Sequence, residues 1–216
     1  MNAVLAPLAP LPRALSRPRH GLRRRHRVGH HPLDPGVLQH FNDLIARIDL
    51  QRPSLDRDEL ASAARELIDD PRTGLLPHCI GQRMRRAGAI RRMAADPQWE
   101  ATAPASSAAT VVVDYLRGPT RLIPHTMPVI GRLDDAILIE AAWPVLAGEV
   151  ADYLDYRRLR HIEATLRGER RPYSGFTRQH WLEARRAEAE WIAHCQRVGR
   201  SSYIADGSAG GRFRVN

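Results

Sequence analysis

The sequence predicts an all-α protein: a single helical domain of about six helices behind an arginine-rich N-terminal arm without regular structure. Three observations carry this. Apolar residues recur every three or four positions in successive windows, as in Val37, Leu38, Phe41, Leu44, Ile45 and Ile48, which is the period of one helix face. The windows open and close on helix punctuation: Asp34–Pro35, Asp56 with Glu59, and Asp70–Pro71. The most apolar run, Ala136 to Ala147, follows directly on two aspartates, a favoured composition for a helix start.

Residues 1–33 form the arm, with prolines at 7, 10, 12, 18 and 32 against regular structure. Asp34 caps the first predicted helix and Pro35 lies in its first turn; Arg52–Pro53 stops it. Asp56 and Glu59 resemble a capping box for the second helix. Its stripe is Leu60, Ala63, Ala64, Leu67 and Ile68, and Asp70–Pro71 ends it. The third spans 77–95, with Ile80, Met84, Ala87 and Ile90 on one side and Arg83, Arg85, Arg86, Arg91 and Arg92 on the other. After a linker at 96–105, a fourth runs from about Ser106 to Leu116. The fifth starts near Leu133 and reaches about Leu166, with a kink expected at Pro144. Thr177 caps a sixth helix that ends near Val198, so the helical domain covers 34–198 and a flexible tail 199–216. Trp143, Trp181 and Trp191 lie on apolar faces at helical spacing and are predicted core residues.

Between the fourth and fifth helices, Pro119, Pro124 and Pro128 rule out a continuous helix. A stiff loop anchored by Leu122, Ile123, Met127, Val129 and Ile130 is expected, with Gly131 supplying a conformation other residues resist. Asp134 and Asp135 then serve as first-turn acids. Ala136, Ile137, Leu138, Ile139, Ala141, Ala142 and Trp143 cover every face of the helix that follows, so it is buried in protein or in lipid.

This loop and helix resemble the YkvA-like family, small bacterial-type domains of unknown function. The matching residues are Pro119, Leu122, Ile123, Pro124, Pro128, Gly131, Leu133, Asp134 and Asp135, within the segment 111–146. The resemblance implies an α-helical domain, often membrane-associated, with no established activity. Two early aspartates of the family pattern are Arg121 and His125 here, so any chemistry those acids served is altered or lost.

Every one of the 33 basic residues is arginine, which with abundant Ala and Pro looks like the codon bias of a GC-rich bacterial genome. The net charge of +9 is uneven: residues 1–33 hold seven arginines and no acid, leaving 26 basic and 24 acidic residues elsewhere. Arg23, Arg24 and Arg25 in the arm, with Arg85 and Arg86 on the third helix, are candidate contacts for lipid or nucleic-acid phosphates; the competing reading is a solvated tail and a solvated face. Cys79 and Cys195 lack metal-ligand spacing and read as free thiols of a reducing compartment. No apolar run reaches the length of a bilayer span, and the N-terminus does not read as a secretory signal. The expected location is the cytoplasm, peripheral to a membrane at most.

His125, Asp134, Asp135 and Glu140 could together hold a hard divalent cation. However, adjacent residues on a helix point about 100° apart, which separates Asp134 from Asp135. Helix capping explains those two, and an ion pair with Arg121, Arg132 or His125 explains Glu140. His180 and His194 read as packed or surface histidines. No catalytic residue, cofactor site, metal site or small-molecule substrate follows. The function expected is that of a non-enzymatic accessory protein at a membrane surface or on a protein partner. A nucleic-acid-binding accessory protein using the arm and helix 77–95 is one alternative, and a metal-dependent enzyme of unknown reaction is the other.

Overall fold

A computed structural model describes residues 4–16, 26–70, 76–169 and 175–201. They form six α-helices and one two-stranded hairpin. Two compact units emerge, residues 1–158 and 159–216. The division falls inside the fifth helix, where a single domain over 34–198 was expected. Beyond Tyr156 Ala164 is the one buried residue of that helix, while Ile162 and Leu166 are 43% and 78% exposed.

Helix α1 (Pro35–Ile48) starts as expected: the Asp34 side chain accepts from the Val37 N–H at 2.9 Å. Helix α2 (Arg57–Asp69) carries the full capping box, Asp56 and Glu59 each bonding the other's backbone N–H. Between them, buried Asn42 holds both the N–H and the C=O of Leu55, which settles the turn's backbone groups without a strand or helix. Helices α3 (His78–Ala94) and α4 (Ala103–Arg117) follow and pack on each other. Helix α4 begins before Ser106 because Pro104 tolerates the first turn, where its missing N–H costs nothing.

Helix α5 (Leu133–Leu166) threads the core of the first unit. Ala136, Ile137, Leu138, Ile139 and Ala142 are all 0% exposed, so the all-round apolar run is buried in protein. Pro144 lies within α5, which continues on both sides of it. Below it, Tyr153 and Tyr156 pack with Trp99, and the Tyr153 hydroxyl donates to the Arg92 carbonyl at 3.0 Å. Trp99, in the segment read as a linker, is thus a core residue.

Parts of the arm depart from the expectation of no regular structure. Arg13–Leu15 form a single 3-10 turn against α2, where Glu66 accepts from the N–H groups of Arg13 and Ala14. Strands β1 (Arg27–Val28) and β2 (His31–Pro32) pair antiparallel around Gly29, whose φ is +57°. The physical reason lies in contacts distant in sequence: β1 packs on α2 with Val28 buried, and Gln82, Arg83 and Arg86 on α3 bond the backbone of Val4, Ala6 and Ala9. The stretch 17–25, with Arg23, Arg24 and Arg25, lies outside the described residues, as does the tail from 202 onward.

In the second unit, α6 (Arg178–Ser201) follows Thr177, whose N–H donates to the His180 ring at 3.1 Å. The core assignment of the tryptophans is corrected in two of three cases. Trp181 is 6% exposed, Trp143 is half-buried, and Trp191 is 67% exposed. Helical spacing puts Trp191 on an apolar face but does not say whether anything covers that face. Among the described residues, no helix is long and apolar enough to cross a membrane.

Candidate functional site

The loop between α4 and α5 closes over the start of α5 and buries two carboxylates there. Its apolar anchors point inward: Leu122, Ile123, Ile130 and Leu133 are at most 1% exposed, while Pro119 and Pro128 lie outside. The positive φ expected at Gly131 falls instead on Val129, at 70°. There the Ile130 N–H donates to the Pro128 carbonyl at 2.8 Å, an i to i+2 turn that is rare for a β-branched residue. Gly131 is required for a different reason. A Cβ there would stand 2.6 Å from the carbonyl oxygens of both His125 and Met127. Gly131→Ala is therefore expected to cost about 1–3 kcal/mol by overpacking, measured as a lower denaturant midpoint. An unchanged midpoint would show that the loop shifts freely.

Asp134 and Asp135 are both 0% exposed. Asp134 Oδ2 accepts from the Tyr115 hydroxyl at 2.5 Å and from the Ile123 N–H at 3.3 Å. The Tyr115 oxygen in turn accepts from the Leu122 N–H at 3.3 Å. Asp135 faces two guanidinium groups and an imidazole: Arg121 at 3.0 Å, Arg132 at 3.6 Å and His125 Nε2 at 3.0 Å. The guanidinium of Arg121 also bonds the Leu116 carbonyl and lies 5.2 Å from the Tyr115 ring centre. The two aspartates stand in the first turn of α5 as expected, but their side-chain bonds run to α4 and the loop rather than to the free N–H groups of that turn. Adjacent helix positions diverge, and here the divergence sends one carboxylate to the phenol and the other to the cations.

Burial pushes the Asp135 carboxyl above the ordinary carboxylate range, and the Asp134 charge pushes it further; His125, Arg121 and Arg132 pull it back. Burial, and then the Asp134 charge, hold the Tyr115 phenol far above its usual value, so it stays protonated and donates. Since folding raises the Asp135 value, the stability tied to its proton is full below the ordinary 3.8 and is lost as pH rises through the raised value. Asp134→Asn removes one of the causes and is expected to make that loss shallower. Urea midpoints of both proteins between about pH 3.5 and about pH 7 check this; identical slopes would count against it.

Glu140 does not belong to this cluster. It forms the expected ion pair, but with Arg83 of α3, at 3.0 Å from Nε and 2.9 Å from Nη2. Two helical turns separate Glu140 from the start of α5, which carries it to α3 and away from Arg121, Arg132 and His125. Arg83 is 1% exposed and also donates to the carbonyls of Cys79 and Ala9. Arg86, read as an anion contact, is 4% exposed. Its guanidinium lies 3.8 Å above the Trp143 ring and bonds the Val4 and Ala6 carbonyls. The basic side of α3 thus holds two buried arginines, and only Arg85, Arg91 and Arg92 of the five are exposed. Among the described residues, no three His, Cys, Asp or Glu side chains converge as metal ligands. Cys79 and Cys195 are free, and burial raises the Cys79 thiol.

The sequence did not point to Tyr115 or to Arg83 as Glu140's partner. Arg83 lies 57 positions from Glu140, beyond any helical spacing. Arg121 and His125, where the chain departs from the YkvA-like pattern, are both partners of Asp135. No protein-family model, curated protein or solved structure matches the chain.

Proposed function

We propose that the chain is a non-enzymatic accessory protein that acts by binding a protein partner through α6, on a core of the YkvA-like type. The observation that carries the association is the apolar side of α6, with Trp191 67% and Val198 51% exposed. An exposed tryptophan on an amphipathic helix is characteristic of an interface. Glu183, Glu188 and Glu190 border this side against one arginine, Arg197, and this acidic excess opposes an anionic lipid surface. A protein surface is therefore favoured over a membrane. The cations around Asp135 support the non-enzymatic part of the reading: they occupy the carboxylate a reaction would need.

The test is affinity capture with wild type and Trp191→Glu, beside sedimentation with anionic phospholipid vesicles. A partner held by wild type and lost with Trp191→Glu is expected, with no cosedimentation. Equal capture by both proteins would remove α6 from the function. Cosedimentation abolished by Trp191→Glu would restore the membrane reading.

A further inference from the structure

The apolar side of α6 repeats in a way that selects its occupant. Ala184, Ala187, Trp191 and His194 are spaced three, four and three apart, the seam of a two-helix coiled coil. All four are exposed in the chain. The rings of Trp191 and His194 stack at 5.9 Å, which aligns them along the seam. Small residues occupy its N-terminal half and large ones its C-terminal half.

From this arrangement we infer that α6 pairs antiparallel with α6 of a second copy of this chain, making a two-fold symmetric dimer. The inference rests on the reading of α6 as a docking surface and names what docks there. Antiparallel pairing sets Trp191 against Ala187 of the other copy and His194 against Ala184, large against small in both layers, with His180 meeting Val198 beyond them. Parallel pairing stacks tryptophan on tryptophan and leaves a gap between alanines, which packing disfavours. The flanking charges choose the same direction. Glu183 and Arg197 lie on one border of the seam, two heptads apart. In the antiparallel pair each Glu183 faces Arg197 of the other copy, giving two opposite-charge pairs. Two like-charge meetings oppose them, Glu190 with Glu190 and Glu188 with Glu188; Glu188 is already paired with Arg185 in its own chain. The parallel pair brings Glu183 beside Glu188 twice and makes no opposite-charge pair. A symmetric dimer also needs no partner beyond the chain itself, and isologous pairing is the commonest closed assembly.

Sedimentation equilibrium of the full chain, from about 1 to about 100 μM, covers the range in which an interface of this kind associates. A monomer–dimer equilibrium is expected. Trp191→Ala is expected to weaken it about thirtyfold, the loss typical of a buried interfacial tryptophan. The side chain is exposed in the single chain, so circular dichroism, and melting at concentrations where both proteins are monomeric, should stay as in wild type. Glu183→Arg and Arg197→Glu should each weaken the dimer about tenfold, and the double variant should recover it, because only a facing pair restores attraction on exchange. Glu190→Gln should tighten it.

A wild-type chain that stays monomeric to about 100 μM overturns the dimer. So does a dimer untouched by Trp191→Ala, or a double variant as weak as the singles. Failure here with partner capture still dependent on Trp191 leaves the docking surface standing with a different occupant. Loss of both removes the surface as well.

Discussion

Glu140→Ala is expected to cost about 3–5 kcal/mol, more than Arg83→Met at the other end of the same ion pair. The two ends differ in their access to water. The Arg83 side chain is 1% exposed and the Glu140 side chain 37% exposed. Without Glu140, a guanidinium remains buried with only the carbonyls of Cys79 and Ala9 as partners, and a buried charge lacking its counterion is among the costliest single defects. Without Arg83, Glu140 can turn to solvent, and methionine fills much of the vacated volume; about 1–3 kcal/mol is expected. The double variant should lie near Arg83→Met, since both remove the buried charge. Urea denaturation of the three variants gives the ordering, and a cost for Arg83→Met well above that for Glu140→Ala would reverse the assignment. Losing Arg83 should also loosen the backbone at Ala9, whose carbonyl it holds, visible as faster amide exchange there.

Asp134→Ala should cost about 3 kcal/mol, because two buried donors, the Tyr115 hydroxyl and the Ile123 N–H, lose their shared acceptor. Asparagine presents an oxygen at the same place, so Asp134→Asn should keep most of the stability. The pair of variants separates an acceptor role from a charge role: equal losses would mean that the charge of Asp134 stabilises the fold. The effect should depend on Tyr115. In a Tyr115→Phe background one of the two donors is already gone, and Asp134→Ala should cost correspondingly less. Full additivity would show that the 2.5 Å contact does not couple them.

Much of the helical framework was legible because its signals are local. Asp34 and the Asp56–Glu59 box bond backbone groups within three residues of themselves, so type and spacing suffice. The prolines of the 119–131 loop act on their own backbone and its nearest neighbours. The site at the head of α5 was only half legible. An unusual set of Asp, Arg and His residues could be seen around Gly131, and an internal ion pair for Glu140 could be demanded on energetic grounds. Which charge meets which could not, because Asp134, Asp135 and Glu140 point in three directions and meet partners from 3 to 57 residues away.

The sequence by itself determined that the protein is all-α, where five of the six described helices begin, that residues 119–131 break between two of them, and that the apolar head of α5 must be buried. Each follows from dihedral restriction, local capping or the period of apolar residues. Only the tertiary structure decided that Arg83 and Arg86 turn inward to hold the N-terminal segment, that Gly131 is needed for close approach rather than for a positive φ, and that Trp191 remains at the surface. Burial of a charge depends on the sum of partners that packing collects around it, and exposure of an apolar face depends on whether another element covers it. Neither quantity is a property of the residues along one stretch of chain.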